Sequence, residues 1–187
     1  HFFYLPNQFW RHKSQQVVID ALASLASRDV DVVVAASGSK DDPREPNYFE
    51  SLERQVDART LTRNFRYLGM IPMPHVYALL RVCTALINPS RFEGWSTTVE
   101  EAKSFGVPMI LSDLEVHREQ TSGTARYFGT DDPLTLANHL AAFAKNPQPI
   151  SMRYLLPNLN ERVSAFASDF AQTIQRALLS NRSSETE

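Results

Sequence analysis

Six short apolar runs, rich in β-branched and aromatic residues, alternate along the chain with longer segments of helical periodicity. The short runs are Phe2 to Leu5, Val30 to Ala35, Phe65 to Leu68, Ala85 to Asn88, Met109 to Ser112 and Arg126 to Phe128. Between them apolar residues recur at three- and four-residue spacing, as in Val17, Val18, Ala21, Leu22 and Leu25. Strands alternating with helices of this length predict βαβ units and a parallel sheet covered on both faces. Val32 to Ala36 is continuously apolar, as a strand buried on both faces should be. Beyond about residue 133 the pattern turns purely helical, with one helix expected over Leu134 to Lys145 and a longer one over Leu159 to Leu179. The tail from Ser180 to Glu187 has no apolar anchor and is expected to fray.

The predicted fold class is therefore α/β: a Rossmann-like doubly wound parallel sheet of about six strands, with flanking helices and a C-terminal helical extension. Right-handed crossovers place the loops that follow the strands along one edge of such a sheet. Ligands bind at that carboxyl edge, near the point where strand order reverses. The loops to search are Pro6 to Lys13, Ser37 to Asn47, Gly69 to Pro74, Pro89 to Thr98 and Asp113 to Glu119. Residues 1–187 are long enough for a single domain with its own core. A net charge of −2 argues against a nucleic-acid partner, which would require a basic patch. Cys83, the one cysteine, lies in an apolar run and reads as a core residue. No apolar run approaches the ~20 residues of a membrane span, and no signal peptide opens the chain, so a cytoplasmic location is expected.

Residues 85 to 113 carry the chemistry. The strand ending at Asn88 meets Pro89-Ser90, which cannot extend it. Arg91-Phe92-Glu93-Gly94-Trp95-Ser96 follows, and then a helix through Val99, Ala102, Lys103 and Phe105. Thr97 with Glu100, or Thr98 with Glu101, reads as a capping box at its start. Gly106 supplies the stop and Pro108 lies just beyond. Open amides and the helix dipole make such a start attractive to an anion such as a pyrophosphate, and Gly94 lets a ligand approach the backbone closely. Glu93 and Glu101 flank this anion site. Carboxylates repel phosphate but accept charge-assisted hydrogen bonds from the vicinal hydroxyls of a ribose or hexose. On spacing alone, a purely structural role at the positive helix end is an equal alternative.

The stretch Pro89-Ser90-Arg91-Phe92-Glu93-Gly94-Trp95-Ser96, followed by Glu101-Ala102 and Gly106-Val107-Pro108, resembles the signature of family-four retaining glycosyltransferases of the GT-B fold. Order and spacing match throughout, with Trp95 for the usual Phe, Ser96 for Gly, and Thr97-Thr98 where Leu-Pro is common. The resemblance covers roughly residues 2 to 145. It implies that Glu101 holds the ribose hydroxyls and Glu93 the hydroxyls of the transferred sugar. It also implies that backbone amides of Gly94, Trp95, Ser96, Thr97 and Thr98 cradle the diphosphate and sugar. Lys13 occupies the family's phosphate-binding lysine position. The partner arginine normally lies earlier in the same loop, where this chain has Asn7-Gln8, so either Arg11 substitutes or the site uses one cation. Phe65 to Ile71 resembles the strand and turn whose backbone reads the nucleobase, and Ala36 to Ser39 the glycine turn after the second strand.

The resemblance further implies a donor-binding C-terminal half of a two-domain hexosyltransferase acting on a glycan or lipid-linked acceptor. UDP- or GDP-sugar would be the donor, with no cofactor, no metal, and polysaccharide assembly a plausible setting. The N-terminal acceptor domain is expected to be absent from this chain, with His1 belonging to a linker or a tag. The full-length enzyme would associate peripherally with the inner membrane, and the isolated chain would bind nucleotide weakly without turnover. The competing readings are a non-catalytic nucleotide-binding or interaction module, and half of a sugar-nucleotide epimerase. His75, His117 and His139 lie on separate elements without metal-ligand spacing, and His117 is expected to be structural.

Overall fold

The structure is a computed structural model and describes residues 1–147 and 159–183. Two compact units divide the chain, His1–Tyr154 and Leu155–Glu187. In the first, six strands alternate with helices: β1 (Phe3–Pro6), α1 (Gln15–Ala26), β2 (Val34–Ser37), α2 (Tyr48–Ala58), β3 (Phe65–Tyr67), α3 (Met73–Val82), β4 (Leu86–Asn88), α4 (Thr97–Ser104), β5 (Met109–Ser112), α5 (Glu115–Thr121), β6 (Arg126–Phe128) and α6 (Pro133–Lys145). The strands form one sheet in the order β3-β2-β1-β4-β5-β6, every pairing parallel. The α/β Rossmann-like fold is as expected.

Alternating side chains divide the core between the two faces. Phe3, Leu5, Val34, Ala36, Ile87 and Ile110 pack with residues of α1, α2 and α6. Tyr4, Ala35, Leu86, Met109 and Leu111 pack with Val76, Leu80, Val99 and Ala102 of α3 and α4. The four inner strands β1, β2, β4 and β5 are thus buried on both sides, whereas the edge strands β3 and β6 each expose an arginine. Cys83 is fully buried in the second cluster.

Strand β2 begins four residues later than its apolar run. Asp29 takes a left-handed φ of 54°, and the Val30 N–H donates to the Leu25 carbonyl, so Val30 completes the turn that ends α1. Helix α6 starts at Pro133, where the Asp132 side chain accepts the Thr135 N–H at 3.0 Å. In the second unit, α7 runs from Leu159 to Ser183. It continues four residues into the stretch expected to fray, because extending an established helix adds a hydrogen bond per residue at little entropic cost. Ser184 to Glu187 lie outside the described residues. No described helix is long and apolar enough to cross a membrane.

Strand order reverses between β1 and β4, and the loops after these two strands face each other across the switch point. Gly38, at the end of β2, lies against the first of them: a Cβ there would meet the Asn7 carbonyl oxygen at 2.3 Å. Its φ of 147° also suits glycine. Gly38→Ala must therefore displace backbone, and a loss of about 1–3 kcal/mol in urea-denaturation stability is expected.

Candidate functional site

Asn88, the last residue of β4, is fully buried, and its amide organises both loops at the switch point. Its Oδ1 accepts from Asn7 Nδ2 at 3.1 Å and from the Ser90 N–H at 3.2 Å, and lies 2.8 Å from Ser90 Oγ. Its Nδ2 donates to Ser96 Oγ at 3.0 Å and to Glu93 Oε1 at 3.4 Å. A buried amide satisfied on both sides fixes everything it touches.

Above it lies an ion pair. Residues Arg11–Lys13 form a single 3-10 turn, and Ser14 in a left-handed conformation leads into α1. This turn brings Lys13 Nζ within 2.7 Å of Glu93 Oε1, with side chains only 15% and 9% exposed. Ser90 Oγ donates to the same oxygen at 2.7 Å. Burial pushes the Glu93 carboxyl up, but the hydrogen bonds from Lys13, Ser90 and Asn88 and the Lys13 charge outweigh it and hold it below the ordinary value. Glu101, on α4, is half-buried, and desolvation alone pushes its carboxyl up.

The start of α4 is built differently from the expected capping box. Ser96 is the N-cap and Thr97 the first helical residue, with no side-chain cap. Gln120 of α5 supplies the missing partner from outside: its Oε1 accepts the Ser96 N–H at 3.2 Å, and its Nε2 donates to the Ser96 carbonyl at 3.0 Å and to Glu100 Oε1 at 3.1 Å. The Ser96 amide is thereby engaged within the protein. Gly94 and Trp95 are exposed, a Cβ on Gly94 would meet nothing within 4 Å, and Thr97 is also exposed. Thr98 is half-buried.

The remaining expected residues fall into three places. Asn7, in the slot of the family arginine, is buried and donates to Asn88 rather than facing outward. Arg11 is exposed and pairs with Glu45 at 2.7 Å, so the structure does not bring it together with Lys13. Ile71 is half-buried and packs against the α3–α4 side of the core. Beside it the turn after β3 is closed by a Gly38 N–H bond to the Gly69 carbonyl and a Tyr67 hydroxyl bond to the Gly38 carbonyl.

His117 is fully buried. Its Nδ1 bonds the Ser112 carbonyl at 2.8 Å, and Ser112 Oγ donates to the Ser90 carbonyl at 2.5 Å. Desolvation lowers the imidazole's proton affinity and favours the neutral ring. Sequence reasoning missed Asn88, Ser112 and Gln120 as parts of the site. A polar residue ending an apolar strand could have flagged Asn88. Gln120 is 24 residues from its partner, and nothing local announces that contact.

The family model described as glycosyl transferases group 1 matches residues 2–156, and the chain belongs to that family. No curated protein matches the sequence. Among solved structures, Anabaena HepE in complex with UDP is 20% identical with a TM-score of 0.65, over 90% of this chain and 49% of that one. Sucrose-phosphate synthase from Thermosynechococcus elongatus is 20% identical with a TM-score of 0.72, over 96% and 46%. A UDP-forming trehalose-phosphate synthase from Burkholderia vietnamiensis is 16% identical with a TM-score of 0.68, over 92% and 45%. The chain thus spans about half the length of these structures, and the likeness establishes a shared fold.

Two expected outcomes follow from this geometry. A carboxyl whose folded-state pKa is depressed stabilises the protein above its unfolded value of about 4.3 and loses that contribution as pH falls through the folded value. Lys13→Met should raise the Glu93 titration, read from its side-chain carbonyl by carbon NMR, and move the acid loss of stability to higher pH. Gln120→Leu keeps the volume but strips the Ser96 N–H of its acceptor, which should cost about 1–3 kcal/mol. An unchanged urea midpoint would contradict the role of Gln120.

Proposed function

We propose that this member of the glycosyl transferases group 1 family binds the nucleotide-sugar donor of a retaining hexosyltransferase. The observation that carries the reading is the Lys13–Glu93 pair, placed at the switch point beside the start of α4. Lys13 and the backbone amides of Gly94, Trp95, Thr97 and Thr98 meet the diphosphate. As the sugar leaves, the same groups stabilise the charge that develops on the nucleoside diphosphate. Glu101 accepts from the ribose hydroxyls. Glu93, held by Lys13, Ser90 and Asn88 through Oε1, stays ionised and presents its other oxygen to hydroxyls of the transferred sugar. A carboxylate so engaged orients a sugar and is poorly placed as a covalent nucleophile. Because Arg11 is drawn to Glu45, a single cation on the diphosphate fits the geometry better than a pair.

The HepE structure holding UDP and the UDP-forming Burkholderia enzyme support uridine over guanosine as the base. The transfer reaction belongs to the full-length protein, in which a second domain binds a glycan or lipid-linked acceptor and shields the reacting carbon from water. On this reading the enzyme needs no cofactor and works in the cytoplasm, with its acceptor side at the inner membrane.

Calorimetry on this chain with UDP-, GDP- and ADP-glucose tests the proposal. UDP-glucose should bind best, and Glu101→Ala should weaken it by about 1.5–3 kcal/mol, the usual contribution of hydrogen bonds to a charged group. Absence of binding by every nucleotide at millimolar concentration would sink the donor-site reading.

A further inference from the structure

Arg11 lies two residues before Lys13, and Arg91 two residues before Glu93. The Arg91 N–H donates to the His12 carbonyl at 2.7 Å, so the two loops run side by side. Lys13 and Glu93 turn toward each other, whereas Arg11 and Arg91 turn toward Glu45 and Asp131. Both guanidiniums line a cavity of about 540 Å³ together with Arg54, Tyr48 and Ser51. A cavity of about 500 Å³ sharing both arginines adds Arg44 and His12. Neither is lined by Lys13, Glu93 or Glu101.

The acids present leave this charge largely available. Asp42 is buried and accepts the backbone N–H groups of Arg11 and Arg44 at 3.1 and 3.0 Å, so its carboxylate is taken up by the backbone of the loops after β1 and β2. Glu45 and Asp131 hold Arg11 and Arg91 in pairs open to water, which an incoming anion can exchange at small cost. Among the described residues, neither Arg44 nor Arg54 has a salt bridge. The His12 imidazole is held below its usual range, first by burial and then by the charges of Lys13 and Arg44, despite nearby Glu93 and Asp42. The Tyr48 and Ser51 hydroxyls donate to Gln15 Oε1 and to the Tyr48 carbonyl, so the donors facing an anion are the guanidinium forks, which match the several oxygens of a phosphoryl group better than a single carboxylate.

We propose that this arginine-lined cavity is a second anion site, separate from the donor diphosphate, and that it takes a phosphomonoester. Its separateness from the donor diphosphate rests on the donor-site reading; the attraction for a phosphomonoester rests on Arg11, Arg54 and Arg91. Glu45, now on Arg11, is the group the phosphate displaces.

The test is NMR of arginine side-chain Nε–H groups in this chain, titrated with inorganic phosphate, glucose 6-phosphate, glucose and UDP. Both phosphates should move Arg11, Arg54 and Arg91 saturably, with glucose 6-phosphate the tighter, and glucose should move none. Arg54→Gln should weaken glucose 6-phosphate by about tenfold or more while UDP affinity stays within about twofold. Glu45→Gln, which removes the competing carboxylate, should tighten it. Amide dispersion in the same spectra confirms that each variant is folded. Shifts confined to Lys13 and the amides of Gly94 to Thr98, or wild-type affinity in Arg54→Gln, would overturn the site. Displacement of phosphate from the arginines by UDP would overturn its separateness, and inorganic phosphate binding as tightly as glucose 6-phosphate would overturn the assignment to a phosphomonoester. If the phosphates move the arginines but UDP binds nowhere, the donor reading falls and the arginine site stands.

Discussion

A lysine and a glutamate held together largely out of water are stable only when their remaining valences are satisfied, because each ion loses hydration that a single partner does not replace. Here the compensation comes from Asn88 and Ser90, which donate to the same Glu93 oxygen as Lys13. Asn88 in turn is fixed by Asn7 from the loop after β1 and by Ser96 from the start of α4. The pair therefore ties the two central strands of the sheet to the helix that follows them. Altering any one partner leaves a buried polar group facing another, which couples the site tightly to the fold.

The sheet order makes this arrangement possible. β1 and β4 are neighbours although some eighty residues separate them, and their following loops diverge to opposite halves of the sheet. Lys13 and Glu93 come from those two loops, so their meeting is a consequence of strand order rather than of local sequence. The second layer is built the same way. Gln120 reaches from α5 to the start of α4, and Ser112 reaches from β5 to Ser90, so the loop bearing Glu93 is held from β1, β4, β5 and α5 together.

Legibility in the sequence followed the range of the interactions. The strand at Met109–Ser112 lies where its apolar run places it, because burial on both faces leaves a local compositional mark. The late start of β2 was hidden, since Val32 and Val33 are as apolar as the strand proper, while Val30 still belongs to the turn after the left-handed Asp29. The capping box failed for a related reason. Thr97 and Glu100 have the spacing, but Gln120 competes for Glu100 and binds Ser96, and a pattern four residues long carries no trace of a partner 24 residues away. Ser96, noted in the sequence only as a departure from glycine, has a hydroxyl that accepts from Asn88.

That departure connects the fold to the chemistry. A glycine at position 96 would leave the Asn88 Nδ2 with only the longer bond to Glu93, at 3.4 Å, against 3.0 Å to the serine hydroxyl. With Ser96 present, Asn88 divides its donors between the start of α4 and Glu93, and Gln120 holds the Ser96 backbone on its other side. The loop between Glu93 and Ser96 is thus pinned at both ends, while Gly94 and Trp95 between them stay exposed. A short exposed segment anchored in this way keeps its amides oriented before any ligand arrives. Electrostatic stabilisation of a developing charge requires such orientation, because donors that had to turn toward the charge during reaction would give back part of what they gain.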